Sequence, residues 1–392
     1  MENISSPNPI KEYYIAYFDI LGYRQFFKDC PEMVESLLNE IHNAIINIKK
    51  TLSVPKNVDF FNLTGVNFDF KVKVFSDNVI ICLEIDGNNN FPYTNVNCSE
   101  KLKALIFLDF ISTIQRGFII NYKLFVRGSV TIGKISFNDD YVFGEGLIEA
   151  VDIEEHTVYP RIEISNSLFN FVENIISYSV EEIDKTIEIE KNIKNNTEVS
   201  QEDKSFYERI LQLYQYERFI HMIFKNMLYM YGDGKISLSY LYELDPNEYF
   251  SPDYISAQYN SLKQNFPNVY NEFNLMRNTY LSKNDKLKIH RGCIVEKINA
   301  YGNYNDIELN NSADAIQRER ILKKYAWAMK YHNDMCSIYN KREYYIDSIA
   351  NCDVRFMLLM INVVEPSQNM NFQIPIEPTD VNKNEQQEQK LE

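Results

Sequence analysis

The chain has 392 residues, of which 45% are hydrophobic and 14% aromatic, so it can bury a large core, and this composition excludes wholesale disorder. Its formal net charge of −15 argues against a non-specific grip on DNA, RNA or an anionic membrane, because such binding needs a surplus of Lys and Arg. The six cysteines are scattered without a CxxC pair, which argues against zinc and predicts reduced thiols.

Strand and helix patterns alternate along the first part of the chain. The run Tyr13–Asp19 predicts a buried strand, and apolar residues at helical spacing follow from Met33 to Leu52. The stretches FDFKVKVF and VIICLEI, joined by SDN, predict a β-hairpin. A second helix follows from Ser99, and YKLFVRGSVTIGKISF then predicts a strand pair or one bent strand. This order is the βαββαβ arrangement, an α+β fold with a four-stranded antiparallel sheet and two helices on one face.

The sequence becomes highly charged near residue 180, which predicts a boundary between a first domain and an accessory region. A short helix near Gly144 and a further strand and helix around PRIEIS complete the first part. An aromatic-rich helix is predicted over Ser205–Met230, a short strand and turn after Lys235, and a strong helix around Trp327. The predicted divisions are a core domain over 1–180, a charged linker or helix over 181–205, a mainly helical accessory region over 206–377 and a disordered tail over 378–392.

The sequence shows neither a signal-peptide pattern nor an apolar run of membrane-spanning length. The first nine residues are polar and lack the apolar stretch of a signal peptide. The longest apolar runs are too short to span a bilayer, so we predict a cytoplasmic protein without a membrane partner.

Two carboxylates meet in the predicted topology. The first and third strands of a βαββαβ sheet are adjacent and antiparallel, so Asp19 at the end of the first strand lies beside Asp77 in the hairpin turn. Two adjacent carboxylates do not both ionise readily without a counter-charge. Mg²⁺ and Mn²⁺ prefer such oxygens and bridge to substrate phosphates, so the pair predicts a two-metal site. The alternative interpretations are that Asp19 caps the following helix and that Asp77 is ordinary turn chemistry.

The backbone after Asp19 suits a phosphate group. Ile20, Leu21 and Gly22 lead into a helix, so their amide groups and the positive helix end are predicted to face whatever the metal ions hold.

Four motifs in this order resemble the catalytic domain of class III nucleotidyl cyclases. YFDILGY resembles the first metal motif of that family, and KVFSDN resembles the second, in which Lys precedes the hairpin Asp by four positions. VRGSVTIGKI followed by YVFGEGLIEAVDIEE resembles the family's strand pair, glycine and helix, and PRIEIS resembles its closing strand. The likeness covers residues 13–168 and implies a ferredoxin-like palm core of class III cyclase type, with two bound Mg²⁺ or Mn²⁺ ions.

The chain departs from that family at its transition-state residues. Ile148 and Asp152 stand where the family has Asn and Arg. Arg127 and Arg161 are therefore the candidates for the positive charge that a pentavalent phosphorus needs, with Lys134 behind them. The expected site is Asp19, Ile20 and Asp77 for metal; Phe18, Leu21, Gly22, Tyr23 and Lys73 for substrate, with Lys73 at the base; and Arg127 and Arg161 for catalysis.

A second likeness is to the divergent pyrimidine cyclases of the bacterial Pycsar anti-phage system, carried by FDILG, RGSVTIG and KYAWAMKYHN. It implies synthesis of cUMP or cCMP from UTP or CTP, a homodimer with sites between two chains, and a downstream cyclic-nucleotide-binding effector. Two alternatives stay open at this point: a catalytically silent nucleotide sensor, and a palm-fold polymerase or oligonucleotide synthase. The charge of −15 disfavours a long nucleic-acid substrate. His332 is predicted to be a structural histidine.

Overall fold

The computed structural model describes residues 9–36, 39, 43, 69–85, 98–138, 140–173, 224, 226–242, 282–302 and 313–346. The strands are β1 Lys11–Leu21, β2 Phe70–Phe75, β3 Asn78–Glu84, β4 Phe125–Phe137, β5 Val142–Phe143, β6 Ile162–Ile164, β7 Leu228–Met230 and β8 Ile236–Leu238. The labelled helices are α1 Tyr23–Asp29, α2 Cys98–Tyr122, α3 Glu145–His156, α4 Lys283–Gly302 and α5 Ala313–Ile338, followed by a 3₁₀ turn at Arg342–Tyr344. Residues 31–36 and 166–173 are also helical.

The fold is mixed α+β and is built on one sheet of the order β2-β3-β1-β4-β6-β8-β7, with β5 paired to β4. Strand β1 pairs antiparallel with β3 on one side and β4 on the other, whereas β4 and β6 are parallel. The predicted pairing of the first and third strands is therefore confirmed. The register sets Asp19 between Asn78 of β3 and Arg127 of β4.

Alternation along β1 separates two layers of core. Tyr14, Ala16 and Phe18 face the cluster that contains α2, whereas Tyr13 and Ile15 face the cluster that contains Ala150 of α3. This follows from the two-residue period of a strand, which sends successive side chains to opposite faces. Asp19 belongs to the odd-numbered set, so its position is on the α3 face.

Helix α2 forms the core layer on the other face. Its segment Lys103–Tyr122 is long and apolar enough to cross a membrane by length and composition, but 67% of that window is buried inside the protein. Such burial is typical of the core helix of a soluble protein, and among the described residues no second helix meets the same criteria.

Helix α3 approaches the sheet very closely through two glycines. A Cβ atom on Gly146 would lie 2.9 Å from the Cα of Gly133 on β4 and 2.5 Å from Cδ1 of Ile15 on β1. Real Cβ atoms do not approach backbone this closely, so only the absence of side chains at both positions permits the approach. The close packing brings the later turns of α3 against the end of the sheet.

The two strands beyond residue 225 belong to the same sheet as β1. Glu163 of β6 pairs with Ser237 of β8, and β7 pairs with β8. The predicted helix over Ser205–Met230 is wrong at its end, because 228–230 form β7 and bury their side chains partly in the sheet layers. Three predictions lie outside the described residues: the linker over 181–205, the tail over 378–392, and the part of the helix predicted after Met33 that lies beyond residue 43.

Helices α4 and α5 cover one end of the sheet through an aromatic cluster. Trp327 of α5 stacks on Tyr231 at 4.7 Å between ring centroids and on Tyr159 at 6.1 Å. Arg116 of α2 donates hydrogen bonds to the carbonyl oxygens of Tyr240 and Tyr242 at 3.2 and 3.1 Å, which fixes the segment after β8 on α2. Helix α5 was predicted from its period; α4 was not predicted.

A buried histidine pair joins α4 and α5. The two Nδ1 atoms of His290 and His332 are 3.0 Å apart; His290 Nε2 lies 3.0 Å from the Tyr240 hydroxyl and His332 Nε2 lies 2.9 Å from the Tyr344 carbonyl oxygen. All these hydrogen bonds form when the Tyr240 hydroxyl donates to His290 Nε2 and His332 Nε2 donates to the Tyr344 carbonyl oxygen. A single proton then lies between the two Nδ1 atoms. Burial lowers the pKa of both histidines, that of His332 to about 4. The structural role predicted for His332 matches this environment.

Four of the described cysteines are free thiols. Cys82, Cys293 and Cys336 are buried and Cys30 is partly exposed, and none of these four is in a disulfide. Buried thiols of this kind behave as small apolar side chains.

Candidate active site

Asp19 and Asp77 lie together at one end of the central strands β1 and β3 because of the register between these strands. The two-residue turn Ser76–Asp77 closes the hairpin, with Ser76 in the left-handed region at φ 58°. The backbone N–H of Ile20 donates to the carbonyl oxygen of Asp77 at 2.9 Å, which ties the end of β1 to the turn. The structure therefore brings the two predicted metal-binding carboxylates to the same place.

The environment of Asp19 disfavours its charge. Burial raises the pKa of Asp19, the guanidinium of Arg127 lowers it, and the neighbouring Asp77 raises it further. An additional cation close to Asp19 would therefore stabilise the ionised form of its carboxyl group.

Arg127 is the central cation of the site: it forms ion pairs with two carboxylates, and it donates hydrogen bonds to one of them and to a carbonyl oxygen. Its Nη2 atom lies 2.5 Å from Oε1 of Glu154 and 3.4 Å from Oδ2 of Asp19, and its Nη1 atom donates to the carbonyl oxygen of Thr157 at 3.3 Å. Its buried Nε atom has no hydrogen-bond partner among the described residues. Arg127 thus pairs with Asp19 and with Glu154, and Glu154 was not predicted as part of the site.

Glu154 is buried and close enough to Asp19 to influence it. Burial raises the pKa of Glu154, Arg127 lowers it, and Asp19 raises it. The buried positions of α3 are Gly146, Ala150 and Glu154, spaced by four. That spacing is visible in the sequence, and it places a carboxylate on the same helix face as two small residues that pack on the sheet.

Tyr17 provides a hydroxyl beside these acids. It donates to Oδ1 of Asn78 at 2.9 Å, on the same face of the sheet as Asp19. Burial raises the pKa of Tyr17, and Glu154, Asp19 and Asp77 raise it further, so the hydroxyl keeps its proton at neutral pH.

The segment after Asp19 differs in part from the predicted phosphate cradle. Gly22, at φ 83°, is the N-cap of α1, which excludes Asp19 as the cap. Helix α1 has only seven residues, and the N–H of Ile20 is already used by Asp77. The carbonyl oxygen of Ile20 is the backbone atom of this residue that could bind a metal ion.

The predicted substrate contacts are distributed over both faces. Phe18 is fully buried against Phe118 of α2, on the face opposite Asp19. Tyr23 packs partly against the same core, and Leu21 packs partly against the aromatic cluster of α4 and α5. Lys73 lies on β2 in register with Ile80, and Ile80 is in register with Tyr17, so Lys73 is on the Asp19 face.

Arg161 has its own carboxylate partners. The parallel register places it beside Arg127, and its carbonyl oxygen accepts from the N–H of Gly128 at 3.0 Å. Its guanidinium binds Glu163 at 2.7 Å and Asp233 at 2.6 Å and lies over the rings of Tyr159 and Tyr231. The pKa of Arg161 is raised by these two carboxylates although burial opposes them.

The two positions that depart from the cyclase motif face solvent. Ile148 on α3 is 63% exposed, and Asp152 is also exposed. Neither supplies a cation to the cluster around Asp19.

The oxygen donors at this end of the strands fit a hard divalent cation. Asp19 and Asp77 supply carboxylates and Ile20 a carbonyl, and Mg²⁺ in proteins is commonly held by one or two carboxylates together with substrate phosphates. Among the described residues no group of three or more His, Cys, Asp or Glu side chains is arranged around a metal position. Substrate oxygens would have to complete the coordination.

Comparisons with known proteins add little to this geometry. No protein-family model matches the chain, and no curated protein matches it. Among solved structures, the crystal structure of the guanylyl cyclase Cya2 aligns with 43% of this chain and 81% of its own, at 12% identity and a TM-score of 0.28. An alignment with so low a TM-score defines neither a fold nor an activity for this chain.

Proposed function

We propose that this protein is a nucleotide cyclase that converts a pyrimidine nucleoside triphosphate, UTP in preference to CTP, to its 3′,5′-cyclic monophosphate and pyrophosphate. The observation that carries the proposal is the tie between β1 and the hairpin turn, which brings Asp19 and Asp77 together. The order β2-β3-β1-β4, with helical segments after β1 and β3, supports a ferredoxin-like palm core of the class III cyclase type. Together with the motifs YFDILGY and KVFSDN, this favours cyclase chemistry over other uses of paired carboxylates.

In the proposed reaction the ribose 3′-oxygen attacks the α-phosphorus in line, a phosphorus–oxygen bond forms, and the bond to the leaving pyrophosphate breaks. Asp19, Asp77 and the carbonyl of Ile20 would hold two Mg²⁺ or Mn²⁺ ions. When bound, these ions make the 3′-hydroxyl more acidic and neutralise the charge on pyrophosphate. Positioning and charge neutralisation account for most of the rate in phosphoryl transfer.

The remaining residues prepare that site. Burial raises the pKa of Asp19 and the guanidinium of Arg127 opposes that rise, so Arg127 favours the ionised carboxylate that binds a cation. Its pairing with Glu154 fixes the guanidinium in place. Lys73, on the same face, is the proposed contact to the base. A homodimer, cytoplasmic location and a signal read by a cyclic-nucleotide-binding effector in anti-phage defence complete the proposal.

The test is product analysis. Purified protein is incubated with each of the four nucleoside triphosphates and Mn²⁺, and the products are identified by mass and chromatography. We expect a cyclic pyrimidine mononucleotide from wild type, at least a hundredfold less from Asp19→Asn and Asp77→Asn, and full activity from Asp140→Asn, an exposed aspartate outside the site. A linear or cyclic oligonucleotide would overturn the proposal in favour of a palm-fold synthase.

The second candidate is a nucleotide sensor without activity. The exposed Ile148 and Asp152, which stand where the cyclase motif has Asn and Arg, favour it. Binding of a nucleoside triphosphate without any product, from all four nucleotides, would establish the sensor and exclude the cyclase.

A further inference from the structure

Helix α5, which lies outside the segment that carries the cyclase-like motifs, packs directly against the Asp19 site. The ring of Tyr325 meets the ring of Phe125 edge-on at 5.5 Å, and Phe125 precedes Arg127 by two residues on β4. The ring of Trp327 stacks on Tyr159, which follows by two residues the Thr157 carbonyl that Arg127 binds. The helix is therefore anchored on both sides of the backbone that positions Arg127.

Lys324 lies in the same part of α5. It directly precedes Tyr325, and it is one helical turn before Trp327, on the same helix face. Its side chain is partly buried. The two aromatic contacts thus hold Lys324 at the edge of the site and not in open solvent.

The charges of the site act on Lys324. Burial lowers its pKa and Arg127 lowers it further, while Asp19 and Glu154 raise it. Reciprocally, Lys324 lowers the pKa of Asp19. The ammonium group thus belongs to the electrostatic cluster around Asp19.

Arg127 and Lys324 differ in the number of hydrogen-bond and ion-pair partners that they already have. Arg127 already binds Glu154, Asp19 and a carbonyl oxygen. Lys324 forms no ion pair within the part of the chain that the structure describes, whereas its neighbour Lys323 pairs with Glu319 at 2.9 Å. Lys324 and Arg24 both lower the pKa of Asp19 against the burial that raises it, and neither forms an ion pair within the described residues. Arg24 is exposed, whereas Lys324 is partly buried at the site, so Lys324 is better placed to bind an incoming anion.

We propose that Lys324 is a substrate-binding residue that holds the polyphosphate of the nucleotide, supplied by α5 to the site on its own chain. The proposal rests on the proposed function for the identity of the substrate. A nucleoside triphosphate brings several negative charges to a site already occupied by Asp19, Asp77 and Glu154. A compact ammonium group with three donors binds phosphate oxygens as a point charge. The site gains from Lys324 a cation that Ile148 and Asp152 do not provide.

The experiment compares Lys324→Met and Lys324→Arg with Lys323→Met as the matched control. Binding of UTP, of inorganic tripolyphosphate and of uridine is measured by calorimetry, and KM and kcat are measured for the active nucleotide. We expect Lys324→Met to weaken UTP and tripolyphosphate binding by about tenfold to a hundredfold, the range of a charge-assisted hydrogen bond. Lys324→Arg should recover most of the loss, and uridine binding and the control should match wild type.

Several outcomes would overturn the inference. Unchanged tripolyphosphate binding in Lys324→Met would do so, and so would an equal loss for uridine and tripolyphosphate, which indicates a general disturbance of the fold. Melting temperatures of all variants are recorded so that binding is compared between folded proteins. If wild type and its variants show the Lys324-dependent binding but wild type makes no cyclic product, the proposed function fails and the polyphosphate site stands.

Discussion

Arg127 balances two carboxylates that would otherwise disfavour each other. Burial raises the pKa of both Asp19 and Glu154, Arg127 lowers both, and Asp19 raises that of Glu154 further. All three side chains are less than one-quarter exposed, so solvent screens their interaction only in part. Removing the cation leaves two partly buried acids without their main counter-charge.

Replacing Arg127 should therefore destabilise the protein, and removing one acid should relieve it. We expect Arg127→Met to lower the free energy of unfolding by about 1.5–3 kcal/mol, the range for hydrogen bonds to charged groups. The double variant Arg127→Met with Glu154→Gln should be more stable than the single Arg127→Met variant, because one uncompensated charge is gone. Urea denaturation measures both, and additive effects of the two substitutions would contradict the coupling.

The residues of this cluster were predictable to different degrees. Asp19 and Asp77 were predicted because strand pairing follows from the order of the elements. Arg127 was predicted because the chain lacks the Arg that the cyclase motif places after the glycine. Glu154 and Lys324 were missed, since their approach depends on how closely α3 packs and on where α5 docks. Neither distance is encoded in the local pattern of either helix.

At the scale of the elements, the position of α3 is set by its contact with β4 and β1. Gly146 and Gly133 meet without side chains, so the helix lies closer to the sheet than ordinary side chains permit. The same helix carries Glu154 two turns later. The helix–sheet distance thus decides where that carboxylate lies.

Gly146→Ala should destabilise the protein although alanine is the better helix former. The new Cβ would lie 2.9 Å from backbone atoms of Gly133, and overpacking of this kind costs about 1–3 kcal/mol. Gly292→Ala on α4, where nothing lies within 4 Å, is the control and should stabilise by about 0.5–1 kcal/mol. Chemical denaturation measures both, and equal signs for the two variants would refute the close contact as the cause.

The sequence patterns predicted the first four strands better than the later ones. Strands β1 to β4 carry long alternating or apolar runs, whereas β5 to β8 have two or three residues each. A three-residue strand has too few positions to show a period, and tertiary pairing determines its conformation. The short strand predicted after Lys235 corresponds to β8, whereas β7 was predicted as part of a helix, and the pairing of these two strands with the sheet was not predicted.

At the scale of the whole molecule, the buried histidines link the C-terminal helices to the sheet layers. His290 and His332 are neutral in the fold, and their hydrogen bonds reach Tyr240 after β8 and Tyr344 after α5. A proton added to either ring would be buried beside a second ring. We therefore expect the stability of this region in acid to depend on the histidine pair.

The sign of the pH dependence follows from the lowered pKa values. An unfolded histidine titrates near 6.5, and His332 in the folded protein near 4. The unfolded chain takes up protons first, so this contribution to stability is complete above about pH 6.5 and is lost as the pH falls towards 4. Fluorescence of Trp327, the single tryptophan, reports the unfolding of this region.

His332→Gln should reduce the slope of stability against pH in that interval by up to about 1.4 kcal/mol per pH unit. Asp19 and Glu154 act in the opposite sense, because their pKa values are raised in the fold, so the slopes of variant and wild type are compared directly. The exposed His156→Gln is the control. A slope for His332→Gln equal to that of wild type would show that this pair does not govern acid unfolding.

The chain separation of the paired residues has a consequence for biosynthesis. Arg127 and Asp19 are 108 residues apart, and Cys293 of α4 meets the backbone of Ile119 across 174 residues. Translation adds roughly 5–20 residues per second, so Asp19 leaves the ribosome many seconds before α5 does. If Lys324 completes the proposed site, a nascent chain that stops before α5 holds only part of it, and any activity of the site would begin only after α5 has been made.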